Sequence, residues 1–144
     1  MPINRYEDEG VANYWNSKYE QSYHPYLHGR QKKVLELISK LKLPKGSKCL
    51  ELGCGGGQNA IEYVNKGLEV HGIDSSDELL KTANELALAH SNLSFSNVDL
   101  NQKMPFEDES FDLVVVVGTL QYLMEPSTCI KDVARILKPG GHFI

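Results

Sequence analysis

A cluster of glycines follows a short apolar run near the middle of the N-terminal half. Residues 51–57 read Glu-Leu-Gly-Cys-Gly-Gly-Gly. Gly53, Gly55 and Gly57 remove side chains where the chain must turn from a strand into a helix, so a ligand can come close to backbone N–H groups. By itself the cluster is equally consistent with a ligand-binding loop and with a plain tight turn.

Two carboxylates follow the next two predicted strands at positions that suit an adenosine ligand. Asp74 is 19 residues beyond Gly55, where it can accept both hydrogen bonds of a ribose diol. Asp99 can accept from an adenine amino group, with Val98 and Leu100 packing on the ring. The alternatives are that Asp74 only flanks a helix cap and that Asp99 is a solvated loop carboxylate.

The glycine spacing separates two classes of cofactor. A dinucleotide-binding loop has the pattern G-x-G-x-x-G, but the sixth position counted from Gly53 is Gln58. The spacing G-x-G-x-G and the presence of Asp99 both count against a nicotinamide cofactor. We therefore expect an adenosine cofactor without a pyrophosphate.

The cysteines and histidines form no catalytic or metal-binding pattern. Cys49, Cys54 and Cys129 contain no C-x-x-C pair, so we expect free thiols rather than a disulfide or a zinc site. The histidines lack the spacing of metal ligands or of a catalytic triad; they are His24, His28, His71, His90 and His142. We predict no metal site and identify no catalytic residue.

Strands and helices alternate along the chain. Apolar periodicity predicts two helices, over 29–42 and 58–66. A third helix is predicted to begin at an S-x-x-E capping box formed by Ser75 and Glu78, and a fourth carries the apolar stripe Ile130, Val133, Ala134 and Leu137. Short apolar runs predict strands over 48–52, 68–73, 93–98 and 112–117, and a fifth from His142. This order predicts an α/β, Rossmann-like, doubly wound parallel sheet, with ligands at the carboxyl ends of its strands.

Composition predicts one globular unit. The chain has 144 residues, of which 41% are hydrophobic and 24% charged, and its net charge of −4 argues against general nucleic-acid binding. No apolar run reaches the roughly 20 residues of a membrane span, so we expect a cytoplasmic protein.

Residues 30–48 carry seven cations against one anion, Glu36. They form either a solvated helix face with its loop or a docking surface for an acidic partner.

Five signatures follow one another in order. They are CLELGCGGG at 49–57, VHGIDS at 70–75, Asp99, FDLV at 111–114 and RILKPGG at 135–141. Together they resemble the class I S-adenosylmethionine-dependent methyltransferase family, of the ubiquinone/menaquinone-methyltransferase-like type, over residues 48–144. Residues 14–19 resemble the aromatic N-terminal segment that lids the cofactor in some members.

The resemblance implies a role for each matching residue. The glycine loop and Glu51 would hold the methionine moiety, and Asp74 would hold the ribose. Ser75, Asp99 and Leu100 would lie at the adenine, Gly118 under the sulfonium, and Trp15 and Tyr19 in the lid. The implied reaction is in-line attack of an acceptor atom on the methyl carbon, which leaves S-adenosyl-L-homocysteine. Placing the nucleophile can supply most of the catalysis, so no obligatory acid, base or metal follows. The acceptor, a small molecule or a protein, is unidentified.

The chain ends inside the predicted fifth strand. An unpaired hydrophobic strand is normally covered or paired, so we expect self-association or a partner at this edge. Our interpretation is an N-terminal cap segment over 1–28, followed by an S-adenosylmethionine-binding domain over 29–144 that lacks its last strands. A non-catalytic cofactor-binding remnant or regulatory partner is the alternative, and an NAD-dependent dehydrogenase is a third hypothesis.

Overall fold

The computed structural model describes residues 9–20 and 25–144, with backbone alone for 18–20, 25 and 26. The elements in chain order are α1 (Glu9–Glu20), α2 (Pro25–Leu41), β1 (Lys48–Leu52), α3 (Gln58–Asn65), β2 (Glu69–Asp74), α4 (Asp77–Ala87), β3 (Leu93–Asn97), β4 (Phe111–Val116), α5 (Pro126–Ile136) and β5 (Leu137–Phe143). Within these described ranges, no helix is both long and apolar enough to cross a membrane.

The five strands form one all-parallel sheet in the order β3-β2-β1-β4-β5. The central strand β1 pairs with β2 on one side and with β4 on the other, so that Leu52 lies opposite both Ile73 and Val116. The chain reverses its direction of winding between these two neighbours, which makes the carboxyl end of β1 the switch point of the sheet. The predicted α/β, Rossmann-like, doubly wound fold is confirmed.

Most predicted boundaries lie within one residue of those observed, but the starts of α2, α4 and β5 differ. The side chain that caps α4 is Ser76, whose Oγ accepts from the Leu79 N–H at 3.3 Å; the predicted capping box at Ser75 was wrong by one residue. The fifth strand begins at Leu137, directly after α5, rather than at His142. Pro139 disfavours a helical conformation at the residue before it, so the chain is already extended there.

Helices cover both faces of the sheet. On one face, α2 and α3 bury Val34, Ile38, Ala60 and Tyr63 against β1, β2 and β4. On the other face, α5 and the connection between β3 and β4 enclose a second cluster. Helix α5 buries Cys129, Val133 and Ile136. Of the predicted stripe only Val133 is buried within the helix, because Ile130 and Ala134 are exposed and Leu137 already belongs to β5. Helix α2 begins at Pro25, so the boundary predicted between the cap segment (1–28) and the cofactor-binding domain (29–144) lies inside this helix.

Arg135 fastens the connection between β3 and β4 to α5. Its Nη1 donates to the carbonyl oxygen of Phe106 at 2.7 Å and to Asp108 at 2.9 Å, and its Nη2 donates to the carbonyl of Met104 at 3.1 Å. Asp132, one turn earlier in α5, accepts from Arg135 Nε and from the Met104 N–H, both at 2.6 Å. A connection without regular structure is thus held by bonds from a single helix.

Replacing Arg135 with Met removes the hydrogen bonds that the guanidinium donates and keeps an apolar side chain of similar length. We expect the free energy of unfolding to fall by about 1–2 kcal/mol, because charge-assisted bonds to backbone carbonyls are lost. Urea unfolding followed by circular dichroism measures the change. Lys81→Met is the control, since it breaks only an exposed pair with Glu78 and should leave stability unchanged. Equal effects of the two substitutions would contradict this role of Arg135.

Candidate functional site

The loops that follow β1 and β4 meet at the switch point. Gly53 has a φ of +69°, and a Cβ at this position would overlap the Thr119 side chain. Thr119 Oγ1 in turn donates to the carbonyl oxygen of Leu52 at 3.4 Å. The residue at 53 therefore needs both a left-handed backbone and the absence of a side chain, which only glycine combines.

The glycine loop is fixed by its own backbone. The N–H groups of Gly53 and Cys54 both donate to the Ile73 carbonyl, at 2.8 and 2.9 Å, and the Gly57 N–H donates to the Cys54 carbonyl at 3.0 Å. The ring of Phe95 lies 2.8 Å from the point where a Cβ of Gly57 would stand. The loop therefore lies close to β2 and β3, an approach that is possible because its glycines have no side chains.

Asp74, the last residue of β2, ties this loop to the next helix. Its Oδ2 accepts from the Gly55 N–H at 2.9 Å and its Oδ1 from the Ser76 N–H at 2.9 Å, and the Ser75 N–H also bonds to it. Burial raises the pKa of Asp74, and the three backbone bonds oppose that rise. The carboxylate predicted to bind ribose thus also organises the first turn of α4.

Glu51 is a second acid at this edge of the sheet, in a different environment. It is 2% exposed, although it lies within a strand otherwise built from apolar residues and Lys48. Burial raises its pKa to about 8; a hydrogen bond from Asn59 lowers the pKa, and the charge of Asp74 raises it. Glu51 therefore holds a proton at pH 7, whereas Asp74 has backbone donors on both of its oxygens.

Two helices approach the loops from outside the sheet. The guanidinium of Arg30, from α2, lies against Gly118 at the end of β4, where its Nη1 is 2.5 Å from the position of a Cβ. From α1, Asn16 lies against Gly56 and donates through Nδ2 to Thr82 Oγ1 of α4 at 3.3 Å. The N-terminal helices thus bring polar side chains to the glycine loop and to the end of β4.

The remaining predicted positions are spread around the same edge. Trp15 of α1 is half-buried with its ring edge-on to Tyr14, at a centroid distance of 5.4 Å, whereas the side chain of Tyr19 lies outside the described residues. Asp99 is exposed, and its Oδ1 accepts from the backbone N–H of Asn101 at 2.9 Å and from the side-chain Nδ2 of Asn101 at 3.0 Å. Leu100 is buried in the core beside α5. The adenine role of Asp99 and Leu100 stays a prediction.

Comparison with known proteins decides the family. The family model described as a methyltransferase domain matches residues 50–144, which include the glycine loop, Asp74 and β4. The chain belongs to the class I S-adenosylmethionine-dependent methyltransferases. This confirms the resemblance carried by the five sequence signatures.

Named relatives of this methyltransferase domain act on different acceptors. It is 35% identical over 108 residues to a demethylmenaquinone methyltransferase of Staphylococcus aureus, covering 73% of this chain and 44% of that one. It is 30% identical over 118 residues to a sterol 4-C-methyltransferase of Caenorhabditis elegans, covering 75% and 33%. The chain spans between a third and a half of the length of the curated relatives it matches.

A solved relative holds the expected cofactor. The fold superimposes with a TM-score of 0.70 and 28% identity on a phosphoethanolamine N-methyltransferase 2 of Haemonchus contortus in complex with S-adenosyl-L-methionine. The match covers 78% of this chain and 27% of that one. The family therefore implies use of S-adenosylmethionine.

Sequence reasoning missed three residues that reach this candidate site. Arg30 and Asn16 lie against Gly118 and Gly56, and Gln31 Nε2 donates at 3.1 Å to Oδ1 of Asn59, which bonds to Glu51. One signal was available, because Arg30 and Gln31 lie between Leu27 and Val34, at positions of the apolar stripe of α2. The other six cations of the basic stretch are exposed, as expected of a solvated face, but Arg30 is half-buried. No sequence pattern singles out Asn16.

The amino edge of the sheet, opposite the glycine loop, contains a cavity. It measures about 390 Å³ and includes His71, Ser94 and Phe106 in its lining. The two ring nitrogens of His71 lie 2.7 Å from the hydroxyls of Ser94 and Ser96, and burial lowers the pKa of the imidazole. Across the described parts of the methyltransferase domain, no three His, Cys, Asp or Glu side chains are grouped as metal ligands.

Substitution of Gly53 and Gly55 by alanine tests the contact between the two loops. Both residues have positive φ, but a Cβ at Gly55 meets no atom within 4 Å. We expect Gly55→Ala to cost about 1–2 kcal/mol of unfolding free energy through backbone strain. Gly53→Ala should cost about 1–3 kcal/mol more, since Thr119 must also move. Chemical unfolding of both variants measures the difference, and equal costs would contradict the close approach.

Proposed function

We propose that this chain binds S-adenosyl-L-methionine and transfers its methyl group to an acceptor, with S-adenosyl-L-homocysteine as the product. The observation that carries the proposal is the bond between Asp74 Oδ2 and the Gly55 N–H, 2.9 Å long, at the switch point of a parallel sheet. It joins a glycine-rich loop and a half-buried carboxylate at the edge where open α/β sheets bind their ligands. The family match supports an adenosyl cofactor, which we assign to that edge.

The charges at this edge suit the proposed cofactor. Asp74 has carboxylate oxygens that can accept from ribose hydroxyls in addition to their backbone donors. Glu51 has a buried Oε2 without a hydrogen-bond partner among the described residues, which fits a cationic group nearby. Arg30, against Gly118, offers a planar cation suited to the cofactor's carboxylate. Ser75, Asp99 and Leu100 are the proposed adenine positions.

The chain's own residues are proposed to bind and orient rather than to transfer protons. The cofactor supplies a methyl group already activated by a positive sulfur. The glycine loop and Asp74 hold one reactant in place, and positioning of this kind can contribute several kcal/mol to catalysis. We assign no general acid, general base or metal.

The acceptor is proposed to approach from the segment after β4. A short 3-10 helix, Leu120–Tyr122, follows Gly118, and the Tyr122 side chain is 50% exposed rather than part of the core. The relatives named above supply a first panel of acceptors: a sterol, demethylmenaquinone and phosphoethanolamine. These acceptors differ in size and polarity, so turnover with one of them would narrow the acceptor class.

Asp74→Asn tests the cofactor assignment. We expect affinity for S-adenosylmethionine to fall at least about tenfold, because a hydrogen bond to a charged group is worth about 1.5–3 kcal/mol. Asp112→Asn is the matched control: its Oδ2 also accepts a backbone N–H, from Lys48 at 2.8 Å, but at the amino edge of the sheet. Calorimetric titration measures both variants after circular dichroism has confirmed that they are folded.

Three outcomes separate the hypotheses. Binding of S-adenosylmethionine with methyl transfer to one of the acceptors supports the proposal. Binding of this cofactor without turnover across the panel supports the non-catalytic alternative. Preferential binding of NAD, or equal losses of affinity in Asp74→Asn and Asp112→Asn, would contradict the cofactor assignment.

A further inference from the structure

Glu51 is an acid in the interior of the face covered by α2 and α3. Along β1 it points to the same side as Cys49, whereas Leu50 and Leu52 point to the side of α5. Across the sheet, its partner in β4 is Val115, which is completely buried. An ionised carboxyl in such surroundings loses its hydration, which is costly unless donors or a cation replace the water.

Hydrogen bonds replace that water only in part. The side chain of Asn59, the second residue of α3, bonds to Glu51. Asn59 Oδ1 accepts from Gln31 Nε2 of α2 at 3.1 Å, so its amide group is the donor to Glu51. Glu51 Oε2 is buried with no partner among the described residues. A proton on the carboxyl removes the charge that this oxygen would otherwise carry unbalanced.

Titratable and charged groups face Glu51 from the surrounding elements. Asp74 contributes a like charge from β2. Cys49 of β1 and Cys54 of the glycine loop contribute buried thiols, whose pKa values are raised by burial, so they add no charge. Tyr63, one turn beyond Asn59 in α3, lies in the same buried cluster as Cys49, and Arg30 of α2 reaches this edge against Gly118.

The balance of these effects keeps Glu51 protonated near neutral pH. Burial raises the pKa of Glu51 to about 8, the bond from Asn59 lowers it, and the charge of Asp74 raises it. The geometry acts in the same direction, because the side chain is 2% exposed and one of its oxygens has no donor among the described residues. In the chain without cofactor, a protonated carboxyl therefore lies two residues before Gly53.

We propose that binding of S-adenosylmethionine beside Glu51 displaces the proton of this buried acid to the solvent. This inference rests on the proposed function. The cofactor carries an ammonium and a sulfonium group, and a cation within about 6 Å favours the ionised form of a carboxyl. The buried carboxylate formed in this way attracts the cation more strongly than a solvated one would. Glu51 thus selects a charged cofactor.

The coupling has a definite direction. Below the pKa of Glu51 in the free chain, each binding event must displace a proton, so affinity rises with pH by up to about tenfold per unit. With a pKa of about 8 in the free chain, the rise includes the range from about pH 6 to about 7.5 and levels off above about pH 8, where Glu51 of the free chain is already ionised. Close to one proton is released per cofactor at about pH 7.

The test is calorimetric titration of S-adenosylmethionine into the chain in two buffers of different protonation enthalpy, phosphate and bis-tris. The difference in heat counts the protons released, and titrations at about pH 6, 6.75 and 7.5 give the dependence of affinity on pH. Glu51→Gln should release no proton and bind with an affinity independent of pH in this range. Glu69→Gln, exposed at the amino end of β2, is the control and should behave as the unsubstituted chain does.

Each result supports or overturns a separate statement. Absence of S-adenosylmethionine binding at every pH overturns the proposed function. Binding without proton release in the unsubstituted chain overturns the coupling alone, and release that persists in Glu51→Gln overturns the role of Glu51. Should Glu51→Gln not fold, infrared difference spectra of the unsubstituted chain decide: loss of a protonated-carboxyl band on binding supports the coupling, and its persistence overturns it.

Discussion

The bond from the Gly55 N–H to Asp74 Oδ2 joins the two strand-to-helix turns on which the cleft is built. Through its other oxygen, Asp74 receives the Ser76 N–H, whose own side chain caps α4. One carboxylate therefore sets the position of the glycine loop relative to the start of the next helix. Because Asp74 ends β2 and the loop follows β1, this bond depends on the parallel pairing of these two strands.

Two acids at the same edge acquire different properties from their surroundings. Asp74 is half-buried and receives backbone N–H groups on both oxygens, whereas Glu51 is fully buried and bonds to one side chain, Asn59. Burial raises both pKa values, but the donors around Asp74 restrain the shift there. Two neighbouring carboxyls can therefore differ in pKa because their environments differ.

Much of the fold followed from local patterns. The strict alternation of strands and helices predicted the parallel sheet, and β1 was predicted with the bounds observed. Errors occurred where two neighbouring residues offered similar local signals. Ser75 and Ser76 both suit a helix cap, and in the folded chain it is the Ser76 Oγ that lies within reach of the Leu79 N–H. At the start of α5, Cys129 rather than Ile130 turns inward, a choice made by packing against the sheet.

The sequence alone determined the glycine loop, the acids at 51, 74 and 99, and their order along an α/β chain, because these depend on residue type and spacing. Only the tertiary structure decided which side chains meet them. Arg30 and Asn16 come from helices that precede the glycine loop in the chain, and their contacts with Gly118 and Gly56 follow from packing across the sheet rather than from spacing. The protonation of Glu51 likewise depends on burial, which no residue pattern within β1 reveals.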